Sequence, residues 1–161
     1  IVPPHQMAAG GEEATIEFAV VGLGIRDIVV CGHSHCGAVN ALLDSDGLRD
    51  SMPALCSWLK YAESARRIVD VKYRDLGKEE LLSVAIQENV LVQLENLRTH
   101  PAVARAIERA ALKLHGWVYK FETGQVFGYD PQQGQFVTIE EAVAVQTSVH
   151  PGRAIPHLCA I

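Results

Sequence analysis

Twelve residues constrain this chain more than any others: Ile28-Val29-Val30-Cys31-Gly32-His33-Ser34-His35-Cys36-Gly37-Ala38-Val39. Four consecutive apolar residues, three of them β-branched, suit a buried strand of the kind found in parallel sheets. The apolar run stops at Gly32, and two histidines and a cysteine follow just where a helix begins. In open α/β sheets, sites lie at the carboxyl ends of strands, so this turn is where chemistry is expected.

Composition sets the frame around that turn. The chain has 161 residues, 48% of them hydrophobic and 20% charged, which is globular composition and enough length for one domain with a sizeable core. We expect a single domain over 1–161. No apolar run approaches the roughly 18 residues of a transmembrane helix, and no basic-then-apolar signal segment opens the sequence. No membrane span is therefore expected. A formal charge of -5 argues against nucleic acid or an anionic membrane as partner. Four cysteines, one of them in a histidine-rich turn, point to a reducing compartment and to a metal or thiol role before a disulfide. The opening Ile1-Val2-Pro3-Pro4 is a rigid connector of the kind that follows something, so the domain is expected to lack its N-terminal part.

Along the chain, Glu12-Glu13 starts a helix to about Gly22, with Ile16, Ala19, Val20 and Leu23 at helical spacing. A strand over Asp27 to Gly32 follows, then a helix from about Cys36 to Leu43. Pro53 suits a first helical position, and Leu55, Leu59, Ala62, Ala65 and Val69 continue one apolar face that Trp58 extends. Glu79 to about Arg98 is the strongest helical pattern, striped by Leu82, Ile86, Val90, Leu94 and Leu97. Pro101 opens a shorter helix to about Ala110. Strands are expected over Leu112 to Tyr119, Val126 to Tyr129 and Phe136 to Ile139, separated by turns at 122–125 and 131–134. Residues 146–161 read as an extended tail, on the surface or across a partner.

Thiolate and imidazole are ligands that zinc prefers, and the two-residue gap between His33 and Cys36 lets both side chains converge on one point. Gly37 lets backbone approach that point and places helix N-terminal amides near it. The same two residues also suit an ordinary core turn, and spacing alone does not separate the readings. Cys31, in a β-branched run, reads as a small core residue. His35 is directed away from Cys36, exposed or at a pocket rim. Cys56 falls at a packing interface, and Cys159 is the reactive thiol if the tail is exposed. His5, His100, His115, His150 and His157 lack ligand spacing to one another and default to surface or capping roles. Arg66-Arg67 reads as a solvated helix face before an anion site.

Cys31 to Ala38 closely resembles the second zinc-ligand motif of the β-class carbonic anhydrases, glycine-histidine-serine-x-cysteine-glycine. Ile1-Val2-Pro3-Pro4, Ala14-Thr15-Ile16-Glu17-Phe18-Ala19, Glu88-Asn89-Val90 and His115-Gly116-Trp117-Val118-Tyr119 resemble further segments of that family in matching order. Together they cover most of the chain to about Gln125. The histidine-serine-histidine-cysteine variant and Gly10-Gly11-Glu12 are similar to the cyanobacterial, carboxysome-associated branch.

The resemblance implies an α/β fold, a three-layer sandwich with a mostly parallel β-sheet flanked by helices. It implies His33 and Cys36 as zinc ligands, and Phe18 as an apolar wall of the substrate pocket where plant-type members have tyrosine. Gly37 would lend its backbone amide. The implied activity is reversible hydration of carbon dioxide to bicarbonate by zinc-bound hydroxide. Implied partners are a second copy in a homodimer or higher oligomer and carboxysome components. The location implied is the cytoplasm or the carboxysome. The family's third ligand comes from a cysteine-x-aspartate-serine-arginine motif that these 161 residues do not contain. Two alternatives therefore stand beside the enzyme: a catalytically incomplete binding or assembly subunit, and a hydrolase of a sulfur analogue such as carbon disulfide.

Overall fold

The computed structural model describes residues 1–6, 10–44 and 47–139. The expected tail at 146–161 lies outside them. Helix α1 (Gly11–Glu17) runs into a π-helical turn, Phe18–Gly22, and β1 (Asp27–His33) follows. Helices α2 (Gly37–Leu43), α3 (Leu48–Ser51) and α4 (Pro53–Leu59) come next. A 3-10 turn at Lys60–Ala62 leads into α5 (Glu63–Lys72), then α6 (Lys78–Arg98) and α7 (Pro101–Glu108). Strands β2 (Lys113–Tyr119), β3 (Val126–Asp130) and β4 (Gln135–Thr138) complete the described chain.

The strands form one sheet in the order β1-β2-β3-β4. The α/β class and the helical flank are as expected, but the sheet is mixed: β1 and β2 are parallel, and the other two pairs are antiparallel. Chain length between strands decides this. The crossover from β1 to β2 carries six α-helices, α2 to α7, whereas short turns follow Tyr119 and Asp130 and favour antiparallel return.

Helix α6 lies across β1 and β2 because both strands offer a glycine beneath it. A Cβ on Gly32 would come within 2.9 Å of Ile86 Cγ2 and Val90 Cγ2, and one on Gly116 within 3.0 Å of Val90 Cγ1. The buried stripe of α6, Ile86, Val90, Leu94 and Leu97, fills this contact. Ile28, Val30, Leu114 and Val118 share the same sheet face and join the cores formed with α2, α6 and α7. The helix-flanked α/β sheet is as expected, and the described helical cores draw on this face. The alternate positions Cys31, His33 and Trp117 are exposed or half-buried.

The single apolar face expected from Pro53 onward is broken by the 3-10 turn, yet Leu59, Ala62, Ala65 and Val69 are all buried. Gly77 opens α6 with its N–H donated to the Glu80 carboxylate at 3.3 Å, half of a reciprocal cap, since glycine has no side chain to return it. No helix among the described residues is long and apolar enough to cross a membrane.

Candidate functional site

Strand β1 delivers His33 as its last residue, opposite Tyr119. The Ser34 amide then donates to the Tyr119 carbonyl at 2.9 Å, and His35 takes a left-handed conformation, φ 55°, that tightens the turn. Cys36 is extended and caps α2, its carbonyl accepting from the Asn40 amide at 2.9 Å. His33 and Cys36, both half-buried, line one cavity of about 240 Å³. Its walls include Val39, Leu42, Leu59 and Ile86, with Asn89 as a polar member.

The donor chemistry fits a metal. His33 Nδ1 lies 3.0 Å from the Ser34 carbonyl, which can only accept, so Nδ1 carries the proton and Nε2 keeps a lone pair. A ligating histidine is ordinarily oriented in this way. The ring also stacks on Phe121 with centroids 5.1 Å apart. Cys36 is a free thiol.

The loop is clamped from the other side. Ser34 donates its hydroxyl to Glu122 at 2.9 Å and accepts from the Phe121 amide at 3.0 Å, while His35 pairs with the other oxygen of Glu122. The Glu122 carboxyl is held below its ordinary range, first by its own backbone amide, then by the Ser34 hydroxyl, with His35 adding to both. His35 is thus an exposed rim residue, as expected.

Of the remaining expectations, that for Cys31 differs, while those for Cys56 and the Arg66-Arg67 face hold. Cys31 is not a core residue: it is exposed and lines the rim of this same cavity, and partial desolvation raises its pKa against a Tyr119 backbone hydrogen bond that lowers it. Phe18 does not line this cavity. It is 64% exposed, and its ring lies over Gly22, where an added Cβ would come within 2.8 Å of Phe18 Cδ2. Gly37 is the first residue of α2, with open space where a Cβ would stand. Cys56 packs beside Leu59 in a small core, Arg66 and Arg67 pair with Asp70 and Glu63 along α5, and His115 bonds Asp27 at 2.8 Å. His150, His157 and Cys159 lie outside the described residues.

Two arrangements escaped the sequence reading. Asn89, Gln93 and Asn96 form a polar ridge on α6, on which Gln93 Oε1 accepts from the Val2 amide at 2.7 Å and Asn96 Nδ2 donates to the Val2 carbonyl at 2.8 Å. The N-terminal segment is laid along α6 by these bonds. His5 and His100, thought unrelated, meet Glu13.

Imidazole and thiol on an apolar cavity, at the carboxyl end of a parallel strand, define an α/β protein with a metal-competent pocket. Comparison narrows the class. The family model described as carbonic anhydrase matches residues 1–126. A carbonic anhydrase of Synechocystis sp. is 45% identical over 143 residues, 89% of this chain and 52% of that protein. Carbonic anhydrase 1 of Escherichia coli O157:H7 is 40% identical over 100% of this chain and 67% of its own length. The solved β-carbonic anhydrase CcaA superposes with a TM-score of 0.83 at 46% identity, covering 86% of this chain and 62% of that one. A tetrameric β-carbonic anhydrase from Sordaria macrospora superposes with a TM-score of 0.66 at 26% identity, over 80% of this chain and 62% of its own. The chain belongs to the β-class carbonic anhydrases, and it spans about half the length of the Synechocystis relative.

Proposed function

We propose that this chain serves the zinc-dependent, reversible hydration of carbon dioxide to bicarbonate, with His33 and Cys36 as two of the zinc ligands. The observation that carries this reading is the shared cavity, into which β1 and α2 bring an imidazole with a free Nε2 lone pair and a free thiol. Zinc, when bound, supplies the Lewis acidity that makes water a nucleophile near neutral pH. The chain's own residues do the rest. The Ser34 carbonyl fixes the His33 ring, and the clamp on Glu122 fixes Ser34. Val39, Leu42, Leu59 and Ile86 give walls suited to a nonpolar gas, and Asn89 offers one polar contact. The Gly37 amide, beside Cys36, is available to a developing anion.

A catalytic zinc site takes three protein ligands. The resemblance assigns the third to the cysteine-x-aspartate-serine-arginine motif, which would come from outside these 161 residues. Phe18, outside its own cavity, is assigned to a subunit contact with Val21 and Leu23, which are 67% and 62% exposed beside it. That the Sordaria relative is described as tetrameric supports an oligomer here. We place the chain in the cytoplasm or the carboxysome on the resemblance of its histidine-serine-histidine-cysteine turn to the cyanobacterial branch.

The test measures zinc per chain and carbon dioxide hydration, on this chain and on any longer natural form. Hydration that accompanies zinc and disappears in Cys36→Ser is the expected result. Zinc-free, inactive protein in every form would leave the binding or assembly reading instead.

A further inference from the structure

We infer that His5, Glu13 and His100 form a second metal site, for a divalent first-row ion of the zinc class, that pins the N-terminal segment and α1 to the junction of α6 and α7. One ligand-type atom from each residue lies within 4.8 Å of the others, and no other such trio occurs among the described residues. The three come from separate parts of the chain, so their meeting is a product of the fold.

His100 carries the most information. It is 3% exposed, and its Nε2 lies 2.8 Å from the Pro3 carbonyl. A carbonyl only accepts, so Nε2 holds the proton and Nδ1 presents a lone pair. That Nδ1 is buried and has no hydrogen-bond partner. A buried acceptor without a partner is costly, and an imidazole whose far N–H is held by a backbone carbonyl is the arrangement in which histidine binds metals. The other two donors are close at hand: His5 Nδ1 contacts Glu13 Oε1 at 2.5 Å, and the Glu13 side chain is 16% exposed.

The scaffold is fixed without the ion. The His5 amide donates to Thr99 Oγ1 at 2.8 Å, and Thr99 donates to the Asn96 carbonyl at 2.6 Å. A cavity of about 220 Å³, lined by His5, Glu13 and His100, gives the ion and a water room. Glu17 and Arg105 also line it, with charges that oppose each other. Ligand atoms around a tetrahedral zinc stand about 3.3 Å apart, given zinc-ligand bonds of about 2.0–2.1 Å. Closing from the observed spread needs shifts of about 1.5 Å, within reach of His5, whose side chain is 40% exposed. Two imidazoles and a carboxylate, with water as fourth ligand, are a set zinc accepts. This site stands apart from the His33 and Cys36 cavity and does not depend on it.

The test uses zinc chloride on the Cys36→Ser chain, which removes the thiolate site from the count. Equilibrium dialysis is expected to find one zinc per chain, and zinc is expected to raise Tm, because an ion that binds only the folded state stabilises it. Adding Glu13→Gln or His5→Ala should weaken binding by more than about 100-fold, since even outer-shell losses cost about 10–100-fold. Both substitutions leave His100 and its bond to Pro3 in place, and circular dichroism checks that the fold is kept. Zinc absent from Cys36→Ser, or bound equally well by both double variants, would overturn this site while leaving the hydration reading untouched. A crystal grown with zinc that shows only water on His100 Nδ1 would overturn it too.

Discussion

Cys31 and Cys36 are five residues apart and differ in what the fold does with them. Both line the cavity with His33, but Cys36 is half-buried and caps α2, whereas Cys31 is exposed within β1 and partial desolvation raises its thiol pKa. In cobalt-substituted protein, Cys36→Ser is expected to abolish the thiolate-to-metal charge-transfer band, and Cys31→Ser to leave it. Equal loss from both would contradict the assignment. This readout sees thiolate coordination only, so an ion on His5 and His100 does not confuse it. The location of this turn was legible in sequence because its signals are local: an apolar run, a glycine, then donor residues. The surroundings of Cys31 were not, because whether a β-branched strand is covered on one face or two depends on elements distant in sequence. Glu122 gives the residue-scale pH prediction. Its pKa is lowered in the folded chain, so its contribution to holding the 34–35 turn is complete above the ordinary value of about 4.3 and is lost as pH falls through the lowered one. Ser34→Ala removes one of the named causes, and a carbon-13 titration of the Glu122 carboxyl should then move upward. An unmoved titration would place the cause elsewhere.

Among the elements, α6 decides the geometry of the site, because β1 can lie against it only where Gly32 leaves room. Ile86 and Val90 are β-branched and nearly fixed at χ1 in a helix, so their methyls cannot swing away from an added Cβ at 2.9 Å. Gly32→Ala is expected to destabilise by about 1–3 kcal/mol, seen as a Tm lower by several degrees. Gly37→Ala is the matched control. It meets nothing within 4 Å and keeps the backbone amide, so Tm and hydration should both stay near normal. A control that falls as far as Gly32→Ala would mean that the α2 start is strained in a way the contacts do not explain. The apolar stripe of α6 was readable from its period. Its polar ridge was not, because Gln93 and Asn96 answer to Val2, 91 and 94 residues away. Nothing in the local sequence distinguishes an inward-facing glutamine from a solvated one. The mixed sheet has the same explanation: strand positions follow from local pattern, but pairing direction follows from the connections.

At the scale of the molecule, a run of exposed apolar side chains lies on the π-helical turn and its exit. Phe18 and Val21 are three residues apart and both more than 60% exposed, with Leu23 close behind. A scatter of single exposed apolar residues is ordinary, but three this close on one short segment mark an interaction surface. The same segment packs its inner residue, Val20, against Ala102 and Val103, so its outer face is held in place rather than free to fold inward. In the oligomer proposed above, a second copy is the occupant of this surface. A charge buried there would be unpaired, which disfavours association strongly. Val21→Asp should therefore lower the mass measured by light scattering to that of a smaller assembly, with circular dichroism unchanged because Val21 contributes little to its own chain's core. Met52→Asp, which places the same charge at a residue 49% exposed outside this segment, should leave the mass unaltered. If both variants keep the wild-type mass, the Phe18–Leu23 surface is not the subunit contact; if both lose it, the effect is one of added charge and not of this surface.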